Sequence, residues 1–175
     1  EVTKLVELNQ KISEEANNLT NALKGSSKTQ GDWGQMILEN ILEKSGLVRD
    51  REYFVQEFLK DDDGNNYRNE TGGKMQPDVI IAYPDNRKVI IDSKVSLTAY
   101  TRYVSTDDAA EQKTACQEHL RSIRKHIDEL SAKHYQDFAP TLDFVMMFVP
   151  NEPAYLLALQ HDPELWQYAY NKHIL

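Results

Sequence analysis

Apolar residues first recur at Val2, Leu5, Leu8, Ile12, Ala16, Leu19 and Leu23, spaced by three or four in an otherwise polar stretch. That narrow seam predicts a helix over residues 1–24, either the end of a coiled coil or a helix packed on the domain that follows. Gly25 to Gly31, rich in Gly, Ser, Lys and Thr, reads as a linker opening a domain over 25–175. Asp32 then stands as an N-cap before a helix over Trp33–Lys44, whose stripe of Trp33, Ile37, Leu38, Ile41 and Leu42 ends at Gly46. Tyr53 and Val55, extended to Phe58, suggest a first strand, and the acidic, Gly- and Asn-rich stretch Asp61–Gly73 a surface loop. Val79-Ile80-Ile81 and Val89-Ile90-Ile91 read as two short buried strands joined by the hairpin punctuation Tyr83-Pro84-Asp85-Asn86-Arg87. From about Asp108 to His134 the chain is helical in pattern, with Ala115, His119, Ser122 or Ile123, His126 and Leu130 on one side. Phe144–Val149 is a continuous apolar run before Pro150, the pattern of a central buried strand. Two short helices follow, one after Asn151-Glu152-Pro153 and one with Asp162 as N-cap and Pro163 at its first position. Ile174-Leu175 look like the start of another apolar element, as in a truncated piece.

The order helix, three strands, helix, strand, helices predicts an α/β fold with a mixed central sheet flanked by helices. The Val89–Ile91 strand, the long helix and the Phe144–Val149 strand form one βαβ crossover, expected to be right-handed with its two strands parallel.

At 175 residues, 40% hydrophobic and 27% charged, the chain is large enough for one domain with a substantial core. Its single cysteine, Cys116, has no partner for an internal disulfide, and no secretory signal is visible, so a cytoplasmic setting is expected. No apolar run approaches the roughly 20 residues of a membrane span. An anchor elsewhere in a longer parent protein stays open. The net charge of -8 argues against broad, non-specific binding to phosphate backbones. A local basic strip, with divalent ions offsetting carboxylates, remains compatible with DNA.

Two strand ends carry the candidate chemistry. Gln76-Pro77-Asp78-Val79 opens one buried strand and Ile91-Asp92-Ser93-Lys94 closes the next. Buried charges at such positions are costly unless paired or bound to metal. Asp92 and Lys94, two apart in a strand, share a face about 7 Å from each other. A three-residue loop, Pro84-Asp85-Asn86, would set Asp78 directly across from Asp92, whereas a four-residue loop would turn it away. Asn86 tolerates the left-handed conformation the shorter loop needs. Two converging carboxylates beside a lysine suit phosphodiester hydrolysis: the acids hold Mg²⁺, or Mn²⁺, through hard oxygens and the lysine orients water or stabilises the charged phosphorus centre. The plain alternative is a salt bridge at a strand end.

Other polar residues offer less. His119 and His126 are seven apart, whereas zinc ligation favours spacings of three or four with further ligands. With Ser122, Arg124 and Lys125 they read as a polar helix face near the cleft or touching phosphate, and for Arg124 a structural ion pair is the competing reading. Tyr100, Trp33 and Tyr103 could stack on bases, with core packing the safer reading. Lys74, Arg87, Lys88, Arg102, Arg121 and Lys133 are weaker candidates, read first as solvated surface. Asp61-Asp62-Asp63-Gly64-Asn65 lacks the distant acid of a calcium loop and reads as a solvated turn.

From about Leu19 onward the sequence resembles the RmuC family. The likeness lies in Leu19–Gly25 (LTNALKG), Thr29–Gly34 (TQGDWG), Met75–Ile81 (MQPDVII), Ile91–Tyr100 (IDSKVSLTAY), His119–Leu130 (HLRSIRKHIDEL) and Phe144–Ala154 (FVMMFVPNEPA). The resemblance implies a restriction-endonuclease-like core of the PD-(D/E)xK nuclease superfamily and a role in DNA recombination that limits rearrangement at inverted repeats. It implies Asp78 and Asp92 as metal ligands, Lys94 as catalytic lysine, and the Ser93 carbonyl as a further ligand. It also implies branched or inverted-repeat DNA as partner, and a parent protein with a membrane segment and a coiled coil capable of homo-oligomerisation. The family pattern G-x-W-G-E places a glutamate where this chain has Gln35, a weaker ligand for Mg²⁺; Glu39, one turn along, is the expected substitute. A nuclease-fold module that binds DNA without cutting, or a coiled-coil interaction scaffold, are the rival readings.

Overall fold

A computed structural model of the chain describes residues 27–61, 63–68, 72–84, 87–93, 96–135 and 141–175. The expected helix over 1–24, Lys94, and the hairpin residues Asp85 and Asn86 lie outside these. In chain order the elements are α1 (Ser27–Lys44), β1 (Tyr53–Val55), β2 (Val79–Ala82), β3 (Lys88–Asp92), α2 (Thr98–Ser105), α3 (Ala109–Ser131), β4 (Thr141–Met147), α4 (Glu152–His161) and α5 (Leu165–Tyr170). The sheet runs β1-β2-β3-β4. β1, β2 and β3 are antiparallel neighbours, and β3 and β4 are parallel across the α2–α3 crossover. The chain is therefore α/β with a mixed sheet, as the pattern predicts.

Strand alternation divides the core. Side chains at successive strand positions face opposite ways. Val79, Val89 and Ile91 meet Leu38 and Leu42 of α1 on one face, with Tyr53 completing the cluster. Ile80, Ile90 and Val145 meet Tyr100 of α2, Cys116, Ile123, Ile127 and Leu130 of α3, Ala154 and Leu157 of α4 and Leu165 of α5 on the other. α3 starts where expected: the Asp108 carboxylate accepts from the backbone N–H of Ala110 at 2.7 Å and of Glu111 at 3.0 Å. α4 is capped by Asn151, whose side chain accepts from the Ala154 N–H at 2.9 Å.

Several expectations are corrected. The supposed linker residues from Ser27 to Gly31 are already helical, and Asp32 lies inside α1 instead of capping it. The anchor is Gln30, 3% exposed, whose side chain accepts from the Leu97 N–H at 2.9 Å, so a tertiary contact outweighs weak local propensity. Phe58 is outside β1. α2, which the pattern did not reveal, spans TAYTRYVS, where β-branched and aromatic residues disguise a short helix held by buried Tyr100. β4 is not central: it ends the four-strand order, and among the described residues its outer edge takes only residues 173–175. There Val145 N–H donates to His173 O at 2.9 Å, Leu175 N–H to Val145 O at 3.0 Å and Met147 N–H to Leu175 O at 2.7 Å. Asp162 does not cap α5, since it closes α4 and binds Arg124. Among the described residues no helix is long and apolar enough to cross a membrane.

Candidate active site

The site begins with hairpin register. Val79 pairs with Ile91 and Ala82 with Lys88. Beyond them the Tyr83 N–H donates to Arg87 O at 2.9 Å, leaving three residues in the loop. Continued one step the other way, this register sets Asp78 across from Asp92 on the Ile80 and Ile90 face. Neighbouring backbone fixes both: the Gln56 N–H donates to Asp78 O at 2.9 Å and the Phe148 N–H to Asp92 O at 2.8 Å.

Both carboxylates are buried, Asp78 at 7% and Asp92 at 3% exposure. Asp78 Oδ2 accepts from the Ser93 N–H at 2.9 Å and the Ser93 hydroxyl at 3.2 Å. Asp92 Oδ2 accepts from Lys133 Nζ at 2.7 Å. Tyr135, also buried, feels both acids: burial first, then the charges of Asp92 and Asp78, hold its phenol protonated far above the ordinary range. His126 lies near the same group, its Nε2 accepting from the Ser96 N–H at 3.3 Å. Burial pushes its imidazole below the ordinary range, Glu129 and Asp92 oppose that push, and Lys125 and Lys133 add to it. Asp92, His126, Glu129, Leu130, Lys133 and Met147 line a small cavity of about 140 Å³. Glu129, Lys133 and Tyr135 also border a cleft of about 500 Å³ whose far wall is Lys74, Met75 and Gln76.

Gln35 and Glu39 stand apart from this group. They lie on α1, which covers the opposite face of the sheet. Gln35 Nε2 donates to Glu39 at 3.0 Å, Gln56 Nε2 donates to Gln35 Oε1 at 3.0 Å, and Arg49 donates to Glu39 Oε2 at 2.8 Å. Gln35, Glu39, Gln56 and Asp32 line a separate cavity of about 400 Å³. The two regions are joined through Gln56, which holds a left-handed conformation with φ 52° and binds Asp78 O through its backbone. They also approach at Gly34, where a Cβ would stand 3.3 Å from Pro150 Cγ and 3.8 Å from Ser93 O.

The residues expected along the α3 face part company. His119 is fully buried, its Nε2–H donating to Ala154 O at 2.9 Å, and its Nδ1 has no hydrogen-bond partner. Tyr100 is 8% exposed, its ring centroid 5.8 Å from that of His119. Both are packed in the core, whereas the sequence reading expected them at a DNA-facing surface. Arg124 pairs with Asp162 at 2.7 Å and lies over the Tyr168 ring at 4.3 Å, the structural ion pair. Lys125 is exposed beside Glu129. The sequence reading missed Tyr135 and Gln56, and ranked Lys133 as a weak candidate on solvated surface. For Lys133 a signal existed, since it stands seven residues beyond His126 and continues the same helix face past the end of α3.

The donor set suits a hard cation: two carboxylates on adjacent strand ends and the Ser93 carbonyl are oxygen ligands. The observation in favour is that Asp92 already draws a cation, the Lys133 ammonium. Among the described residues no group of three His, Cys, Asp or Glu is gathered closely enough to hold a metal. Any ion here would rest on the two aspartates and backbone oxygen.

Fold and site together define an α/β protein with paired buried acids at the ends of two antiparallel strands. The RmuC family matches residues 1–175, and the chain belongs to that family. It is 49% identical over 180 residues to a protein of Neisseria meningitidis serogroup A named DNA recombination protein RmuC homolog, an alignment covering 100% of this chain and 29% of that protein. The DNA recombination protein RmuC of Escherichia coli is 44% identical over 177 residues, covering 100% of this chain and 36% of that protein. A Pseudomonas aeruginosa homolog is 43% identical, again over the whole chain and 37% of its own length. The chain thus spans about a third of these curated relatives. No solved structure matches.

Proposed function

We propose that this chain is the phosphodiester-cleaving domain of a DNA recombination protein, a restriction-endonuclease-like core of PD-(D/E)xK type. In this reading Asp78, Asp92 and the Ser93 carbonyl hold Mg²⁺ or Mn²⁺, and Lys94 is the catalytic lysine. The observation that carries it is the hairpin register that brings two buried carboxylates side by side at adjacent strand ends. Two buried carboxylates lose hydration, so they would gain from a cation held by them. A divalent ion held there would lower the pKa of a bound water and offset charge on the phosphate. Asp78 is held for that role by Ser93, and Asp92 by the Phe148 backbone. The relatives' names supply the setting of DNA recombination, and branched or inverted-repeat DNA is the substrate class proposed.

The test is metal-dependent cleavage of a branched duplex by the 175-residue chain. Asp78→Ala and Asp92→Ala, with folding checked by circular dichroism, should each lower the rate at least about a hundredfold. Undiminished cleavage in either folded variant would remove the acid pair from the reaction.

A second reading, binding of DNA without cutting, draws on two contacts. Lys133 already sits on Asp92, and Gln35 is engaged by Glu39 and Gln56, so α1 adds no third carboxylate to the pair. Salt-sensitive DNA binding with no cleavage in either Mg²⁺ or Mn²⁺ would favour it.

A further inference from the structure

The contact between Lys133 and Asp92 belongs neither to the strand-end motif nor to the residues the family likeness points to. It is built with some care. α3 ends at Ser131, the Lys133 N–H donates to Leu130 O at 3.1 Å, and His134 takes a left-handed turn with φ 49°. That turn leaves the Lys133 ammonium 5.3 Å above the Tyr135 ring and 2.7 Å from Asp92 Oδ2. The two partners differ in freedom: the Asp92 side chain is 5% exposed and fixed by its strand, whereas that of Lys133 is 32% exposed. The lysine stem also borders both the 140 Å³ cavity at Asp92 and the 500 Å³ cleft shared with Lys74 and Gln76.

We propose that Lys133 is a built-in counter-ion of the acid pair, which a divalent cation must displace from Asp92 into the adjoining cleft. The proposal rests on the reading that Asp78 and Asp92 hold a metal. A buried carboxylate that loses water needs a positive partner, and removing that partner is costly. An ammonium on a flexible stem is a compact point charge with rotatable donors, so it serves as that partner without the fixed two-point geometry of a guanidinium. A doubly charged ion attracted by two carboxylates would outcompete one ammonium on one oxygen. Displacement is possible because the cleft gives the stem an open path. Once moved, Lys133 faces Lys74 across that cleft and adds positive charge where a phosphate of the DNA backbone would lie.

The experiment is calorimetric titration of Mn²⁺ into the whole chain, wild type beside Lys133→Met and Lys133→Arg, with thermal unfolding of each at zero and saturating Mn²⁺. Displacement opposes metal binding, so Lys133→Met should bind Mn²⁺ roughly tenfold more tightly than wild type, a change of about 1.4 kcal/mol. Lys133→Arg, which keeps the cation, should bind no more tightly than wild type. Without Mn²⁺ the methionine variant should melt below wild type, and saturation should close the gap. Equal or weaker binding by folded Lys133→Met would overturn the counter-ion proposal and leave the metal reading standing. Absence of binding in both proteins would overturn the metal reading itself, and this proposal with it. Binding by the variant alone would support displacement in its strongest form. If Lys133→Met does not fold, Lys133→Gln is judged on the same titration and by the same outcomes.

Discussion

On one face of the sheet, Val79, Val89 and Ile91 are covered by a single helix, α1; on the other, Ile80, Ile90 and Val145 lie beneath side chains from α2, α3, α4 and α5. The same alternation that sends apolar residues to the two sides sends both aspartates to the deeper one. Depth changes what a polar group needs. Asp78 and Asp92 lose nearly all contact with solvent and are tied to Ser93 and Lys133, while on the shallow side Gln35, Glu39 and Gln56 bind one another along an open cavity. An acidic residue on the shallow side can rely on water. On the deep side it needs hydrogen-bond donors or a neighbour of opposite charge, as Ser93 supplies for Asp78 and Lys133 for Asp92.

The largest test of this contrast is truncation on each side. Ile90→Ala, under the deeper cover and fully buried, should cost roughly 4 kcal/mol, and Leu38→Ala, 3% exposed on α1, about 2–3 kcal/mol, both read from urea unfolding. Equal losses would show that the thickness of cover does not govern these cores. Next in size is acid sensitivity. Burial, opposed in part by the hydrogen bond to Ala154, lowers the pKa of His119, so the folded chain takes up a proton there less readily than the unfolded chain. Stability from this group is therefore complete above the unfolded value of about 6.5 and falls as pH drops below it, by at most about 1.4 kcal/mol per pH unit. His126 shifts in the same direction. Unfolding midpoints between about pH 7.5 and 5 should show this slope, and His119→Gln should flatten it. Smallest is Gln35→Glu. A carboxylate there would face Glu39 one turn along, at a cost of about 0.2–0.5 kcal/mol, with no gain in metal-dependent cleavage. A gain would bring α1 into the site and erase the distinction between the faces.

Much of the framework was legible in the residues. Strand alternation, the Pro84-to-Asn86 loop and the β3–α3–β4 crossover are local or short-range signals, and the observed register follows from them. What escaped detection depends on contacts distant in sequence. Nothing near Ser27 predicts a helix start, because Gln30 is anchored by Leu97, 67 residues away. Asp162 looks like a cap until Arg124, 38 residues earlier, claims its carboxylate. Lys133 looks like surface for the same reason: its partner Asp92 is 41 residues back, and only the fold brings the end of α3 over the end of β3. His119 and His126 show the limit of periodicity, since equal helical phase takes one into the core and the other to the cleft wall.

Gly34 sets a tolerance for the whole assembly. An added methyl there would meet Pro150 at 3.3 Å, tighter than ordinary packing, and the proline would have to yield by a few tenths of an ångström. Pro150 runs directly into Asn151, which caps α4, and α4 supplies the carbonyl that holds His119. A hydrogen atom in place of a carbon on α1 therefore acts as a spacer gauge, and any thicker shim would be felt through the proline as far as the buried imidazole.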